Sequence, residues 1–259
     1  MFSMNRLDFT LHTAERLYGA YLDAGYQPLP FADYLKNLPA SNTVILRHDV
    51  DRKPSNSLDM AKLQHRMGIR GTYYFRIVPA SYDVAVLKKI AALGHEIGYH
   101  YEDMTICKGD VKKAYEHFKR SLEDLRKYYP VTTVCMHGSP LSKWDARELW
   151  KHYNYRLLGV TGEPYFDLDL AKGIYLTDTG RMWDGDAYSV RDRIAGGHSQ
   201  RFKTTFDIVK ALEEGTMPAL VMQNFHPQRW TNHLAEWSQE LVMQSIKNRV
   251  KKALRKIRN

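Results

Sequence analysis

What most limits the folds open to this chain is the regular exchange of short β-prone runs with helical segments. Apolar, β-branched or aromatic runs fall at Val44–Arg47, Thr72–Ile77, Glu96–Tyr99, Val131–Met136, Arg156–Val160, Gly173–Thr177 and Ala219–Phe225. Between them lie stretches with apolar residues at helical spacing: Ser55 or Asn56 to Met67, Tyr82 to Leu93, Asp110 to Tyr129, Trp144 to His152 and Phe202 to Glu214. Gly68, Gly94 and Gly215 close three of them, as glycine does where a helix ends left-handed. Two helices, residues 8–25 and Phe31–Leu38, precede the pattern, and a last one runs from His233 to the end. Alternation of this kind predicts a parallel sheet covered by helices. An open doubly wound sheet and a closed barrel both satisfy it.

The polar residues favour the barrel. His48, Asp49 and Asp51, then His100, His137 and His226, each fall just past the C-terminal end of a predicted strand. Four strands delivering reactive side chains to one rim is how barrel active sites are built. The densest piece is V-I-L-R-H-D-V-D-R-K, residues 44–53. Asp49 and Asp51 are two apart, so on extended backbone they face the same way. Paired carboxylates repel unless a cation lies between them or one holds a proton. Asp51 and His100 suit a divalent metal, since carboxylate and imidazole are the ligands of open zinc-type sites. Asp49 is then free to act as a base. His226, stiffened by Pro227, is placed to act as an acid. His137, in a His-Gly-Ser-Pro loop, is held for function, whereas His95 reads as structural. On the substrate side, alternation puts one of Tyr73 and Tyr74 on the rim, and Tyr74 is taken. His48, Asp178, Trp183, Asp184, Arg229 and Trp230 complete that set, the last two because guanidinium and indole hold carboxylates and sugar faces. His65, His117, His152, His198 and His233 belong to no constellation.

Composition sets the outer bounds. The 259 residues, 44% hydrophobic, suit one domain with a sizeable core. No apolar run is long enough to span a bilayer, and residues 1–18 lack the apolar centre of a signal peptide, so a cytoplasmic protein is expected. Cys107 and Cys135 are then expected as free thiols. Net charge is +9, of which +7 sits in Lys247–Arg258, a stretch with no acidic residue, leaving about +2 elsewhere. Such a tail is most often the solvated face of a helix. It also suits an anionic membrane surface, making peripheral contact with the inner membrane a candidate role. No base-reading motif accompanies it, so no nucleic-acid partner is expected.

The order D-x-D (49–51), G-H-E-I-G-x-H (94–100), a Pro-bearing loop (137–140) and a strand ending in His226 resembles the polysaccharide deacetylase family, the NodB-homology carbohydrate esterases, over roughly residues 40–230. The H-D-V-D opening is most similar to deacetylase-like proteins of surface-polysaccharide gene clusters. The resemblance implies a distorted (β/α)7 barrel, extended here by the N-terminal helices of residues 1–40 and the basic helix of 231–259. It also implies metal-dependent removal of an N-acetyl group from an amino sugar in a glycan or a glycan precursor such as a lipid-linked one, with zinc first and nickel, cobalt or iron as alternatives. Asp49 matches the catalytic base, Asp51 and His100 the metal ligands, and His226 the general acid. Two positions depart from the pattern. The second ligand histidine is replaced by Met104, a poor ligand for such ions, and the arginine motif by His137-Gly138-Ser139-Pro140. His137 is the first candidate for the missing third ligand, with Glu102 and Asp103 behind it. The rival reading is a catalytically weakened or non-catalytic glycan-binding protein.

Overall fold

The computed structural model describes residues 7–37, 42–139, 142–183, 194 and 200–258, the last nine as backbone only. The elements, in chain order, are α1 (Leu11–Asp23), β1 (Gln27–Leu29), α2 (Phe31–Asn37), β2 (Thr43–Val50), α3 (Pro54–Arg66), β3 (Thr72–Phe75) and α4 (Val84–Ala92). They continue with β4 (Glu96–Tyr101), α5 (Asp103–Ile106), α6 (Val111–Arg126), β5 (Val134–Met136), α7 (Pro164–Asp167), β6 (Gly173–Thr177), α8 (Thr205–Glu213), β7 (Leu220–Phe225) and α9 (Leu234–Arg258).

The described strands form one sheet in the order β5-β4-β3-β2-β7-β6, with β1 added to β2, and each pairing is parallel. β2, in the middle, is buried along its whole length. Its even positions, Val44, Leu46 and Val50, pack outward under the helices with Tyr18, Met60, Leu63, Ile208 and Leu87. Its odd positions face inward, where Ile45 meets Met222, Leu168 and Leu170. The sheet curls into a half-barrel. From the inner face of β2 the Arg47 guanidinium reaches Tyr165 Oη on α7, which packs beside edge strand β5, at 3.5 Å and Tyr175 Oη on the other edge strand, β6, at 3.2 Å, so it spans the half-barrel.

Two expectations need correction. Residues 156–160 are not a strand. Asn154 caps a short 3-10 turn over Tyr155–Leu158, and Gly159 at φ +70° ends it. The seventh strand is instead β1, whose three residues were too few to show as a periodic run. Nor do all the polar residues lie past strand ends: β2 runs to Val50 and β4 to Tyr101, where α5 follows, so His48, Asp49 and His100 lie inside strands.

The G-H-E-I-G motif is mostly architecture. Gly94 (φ +87°) ends the α4 turn. His95 ties strand to helix, 2.9 Å from the Ala61 carbonyl, and accepts from the Gly71 N–H at 3.2 Å. Glu96 sits inside the half-barrel, accepting from Thr72, Thr133 and the Ala32 N–H. Gly98 faces Tyr74 so closely that a Cβ there would come within 2.3 Å of the ring. Neither cysteine is joined in a disulfide, and among the described residues no helix is long and apolar enough to cross a membrane.

Candidate metal centre

Inward-facing positions at the C-terminal ends of β2, β4, β5 and β7 converge. Asp51, just past β2, presents Oδ1 to His100 Nε2 at 3.7 Å and to His137 Nε2 at 3.5 Å. Atoms bound tetrahedrally at zinc-type lengths lie roughly 3.4 Å apart, close to both of these separations. The protonation pattern is already the one a metal requires. His100 Nδ1 lies 2.9 Å from the Cys135 carbonyl, which can only accept, so Nδ1 carries the hydrogen and neutral Nε2 offers its lone pair. His137 Nδ1 is fixed in the same sense by Glu102 Oε2 at 2.9 Å. Burial, then the neighbouring His137, hold the His100 pKa well below the imidazole range, which keeps it neutral. Asp51 Oδ1 is buried and has no hydrogen-bond partner among the described residues. A bare carboxylate oxygen between two imidazole lone pairs is costly as it stands and is satisfied by a cation. Asp51, His100 and His137 could therefore hold a divalent metal.

A second set, Asp49, His100 and Cys135, also brings ligand atoms within 4.8 Å of one another. It suits a metal less well, because Asp49 is engaged elsewhere. Arg47 Nε donates to Asp49 Oδ1 at 2.8 Å, Arg47 Nη2 to Oδ2 at 2.7 Å, and Asn224 Nδ2 to Oδ2 at 2.9 Å. That carboxylate is aimed rather than coordinated. Its Oδ2 lies 3.6 Å from His100 Nε2 and 4.0 Å from His226 Nε2.

His226 closes the other side. Its Nε2 stands 3.9 Å from Asp51 Oδ2, and its Nδ1 donates to Asp178 Oδ1 at 2.6 Å. Asp178 is fully buried and also accepts from the His226 N–H at 2.9 Å, Trp230 Nε1 at 2.7 Å and Arg229 Nη1 at 2.5 Å. Burial pushes the Asp178 carboxyl up, but Arg229 and His226 overcome it and hold it at about 2. For His226, burial and Arg229 act downward, while Asp178 and Asp51 prevail and raise it above the usual imidazole value.

Several expected substrate contacts lie elsewhere. His48, at an even position of β2, points outward under the helices. It stacks on Tyr73 at 4.1 Å and bonds Gln64 and the Thr72 carbonyl, away from the rim. Trp183 and Trp230 are buried among Phe9 and Phe225, with their indole N–H groups spent on Thr205 and Asp178. Tyr74 faces inward as alternation predicted, but it lies wholly buried, with its hydroxyl on Thr133. Arg229 and Asp178 are a buried pair that positions His226, not a free clamp. Met104 is packed into the core, Asp103 is turned to Tyr99 and His117, and Glu102 backs His137, so among the alternatives only His137 reaches Asp51. Asp184, Pro140 and His198 lie outside the described residues.

Sequence reasoning missed Arg47 and Arg76, and took Glu102 for a possible ligand when it stands behind His137. Arg47 was there to find: it sits two before Asp49 on one strand, hence on the same face. Arg76 forks onto Glu102 (2.9 and 2.5 Å) and donates to the Asp51 carbonyl at 3.3 Å, tying three strand ends together. Burial alone would raise Glu102, but His137 and Arg76 hold it at about 2. Nothing in the sequence pairs residues 76 and 102. Compared with protein-family models, curated proteins and solved structures, the chain gives no match.

Proposed function

We propose that this chain is a metal-dependent hydrolase that removes an N-acetyl group from an amino sugar. In this reading the half-barrel is a distorted (β/α)7 barrel of the NodB-homology type, and zinc is the first choice of metal. The observation that carries it is the bare, buried Asp51 oxygen faced by two imidazoles of matching tautomer, with a fixed carboxylate and a carboxylate-backed histidine on either side.

A divalent ion held by Asp51, His100 and His137 supplies Lewis acidity toward the acetamide carbonyl and acidifies water. The chain's own residues do the rest. Arg47 and Asn224 lock the plane of Asp49, so that a carboxylate oxygen is presented toward the attacking water and takes its proton. An amide's leaving group departs readily only as an amine. The proton it needs comes from His226 Nε2, and Asp178 favours the charged imidazole that carries it. Glu102 and Ser139 hold the His137 ring, with Ser139 Oγ 2.9 Å from its Nδ1. The glycan-holding alternative loses its sugar-stacking surface, because Trp183 and Trp230 are spent in the core.

The direct experiment has two arms. Protein expressed with ample zinc is analysed for bound metal, and acetate release from N-acetylglucosamine oligomers is followed for the native chain and Asp49→Asn. Stoichiometric metal, with turnover that collapses in the variant, is expected. Metal-free protein, or unchanged turnover in Asp49→Asn, removes the mechanism.

A further inference from the structure

The metal centre uses none of α9. One side of this helix is docked on the rim that carries the centre. Arg52, next to Asp51, bonds Glu240 at 2.5 Å, Asn248 Nδ2 donates to the Gly180 carbonyl at 3.0 Å, and Trp237 Nε1 donates to the Asp8 carbonyl at 2.8 Å. Glu240 and Gln244 are buried by this docking. A different side is left uncovered: Val242, Met243 and Ile246 are 58%, 44% and 53% exposed. Ile246 follows Val242 by four and Met243 by three, so they form one stripe. In sequence the same spacing continues through Val250, Leu254 and Ile257, interleaved with Lys247, Arg249, Lys251, Lys252, Arg255, Lys256 and Arg258.

We infer that α9 is an interfacial helix that holds this protein on an anionic lipid bilayer, apolar stripe inward and basic residues among the headgroups. Both halves of the pattern are needed to choose this partner. An aliphatic stripe alone would suit a second copy of the chain, but pairing two α9 helices would set seven cationic side chains against seven more, with no acid in residues 247–258 to compensate. A basic run alone would suit a nucleic acid, which gains nothing from exposed valine, methionine and isoleucine. An anionic bilayer takes the stripe into its acyl boundary and the cations at its surface potential. At 1.5 Å per residue the 25-residue helix is about 37 Å long, enough to lie across many lipids. Because α9 is fastened beside Asp51 and Asp178, docking brings the metal rim toward the headgroups. Joined to the hydrolase reading, on which this one clause rests, it selects an amino sugar carried on a lipid.

Flotation of the full chain with vesicles tests the anchor without reference to turnover. Vesicles of phosphatidylglycerol and phosphatidylethanolamine are expected to carry the protein up the gradient, and vesicles of pure phosphatidylcholine to leave it behind. Val242→Ser with Ile246→Ser, both at exposed positions, is expected to weaken partitioning at least tenfold while the circular dichroism spectrum and metal content stay unchanged. Equal flotation of native and variant protein overturns the proposal. So does absence of flotation, and sedimentation equilibrium then assigns the stripe: a dimer that the double variant dissociates gives it to a second copy. Tight, salt-sensitive binding of RNA in place of lipid also overturns it.

Discussion

Replacing Arg47 by Met tests whether the base of the proposed reaction depends on a desolvated ion pair. The guanidinium and the Asp49 carboxylate are 1% and 2% exposed and meet through two bonds of 2.8 and 2.7 Å. Met fills much of the side chain's volume but leaves a buried carboxylate with the Asn224 amide as the hydrogen-bond donor that remains among the described residues. Removing one member of a buried pair costs about 3–5 kcal/mol, most of it the uncompensated charge. Unfolding entropy near 2.1 cal/mol/K per residue over 259 residues converts this to a Tm loss of roughly 6–9 °C. The double variant Arg47→Met with Asp49→Leu has no charge to strand, so it should regain most of that loss while releasing no acetate. Differential scanning calorimetry reads the first quantity and an acetate assay the second. An Arg47→Met Tm within about 2 °C of native, a loss near the ~1 kcal/mol expected of an exposed pair, refutes the buried-pair argument. So does a double variant no more stable than the single one, which would make Arg47 a matter of packing.

Glu102→Gln keeps the shape but weakens the grip on His137 Nδ1, and loss of such a backing group typically lowers metal affinity about 10–100-fold. Competition with a zinc chelator reads it, and unchanged affinity excludes the role. Asp178→Asn removes the group that raises His226, so the proton donor is lost at lower pH and the basic limb of the kcat profile should move downward; an unmoved limb assigns that limb to another group. Burial raises Glu163 to about 7, despite donors from the Met136 and Tyr165 N–H groups. The folded state therefore binds its proton more tightly than the unfolded chain, and the gain from the neutral form is lost as pH rises from about 4.5 to about 7. Denaturant titrations should show Glu163→Gln gaining on the native chain by on the order of 3 kcal/mol across that range, and a constant difference refutes it. Gly98→Ala places a methyl within 2.3 Å of the Tyr74 ring and should cost about 1–3 kcal/mol in the same measurement, as overpacking does. Native-like stability would show that the ring has room to swing aside.

Much of this centre was legible because strand alternation and strand ends are local. Asp49 and Asp51 two apart, His100 at the end of G-H-E-I-G-x-H and His226 before Pro227 could each be placed without a partner, and the structure brings all four together. Parity, applied one residue further, would have turned His48 outward and brought Arg47 inward. Trp183 and Trp230 were misplaced for another reason. An indole in a polar loop looks like a sugar platform, and only the tertiary arrangement shows Phe9, from the start of the chain, packed against both rings. Arg76–Glu102 and Glu102–His137 join residues 26 and 35 apart, and no periodicity encodes such pairs.

The bridge made by Arg47 carries a consequence for where damage is felt. One guanidinium both aims Asp49 and touches Tyr165 and Tyr175 on opposite lips of the half-barrel. In the proposed reaction, the aim of the base is thereby coupled to the mechanical closure of the sheet. A lesion that pries the lips apart tilts the proton acceptor while leaving His100, anchored on the Cys135 carbonyl, in place. On the proposed reading, loss of the Tyr175 hydroxyl, which accepts from both Arg47 and Asn224, should slow turnover while leaving the metal content full.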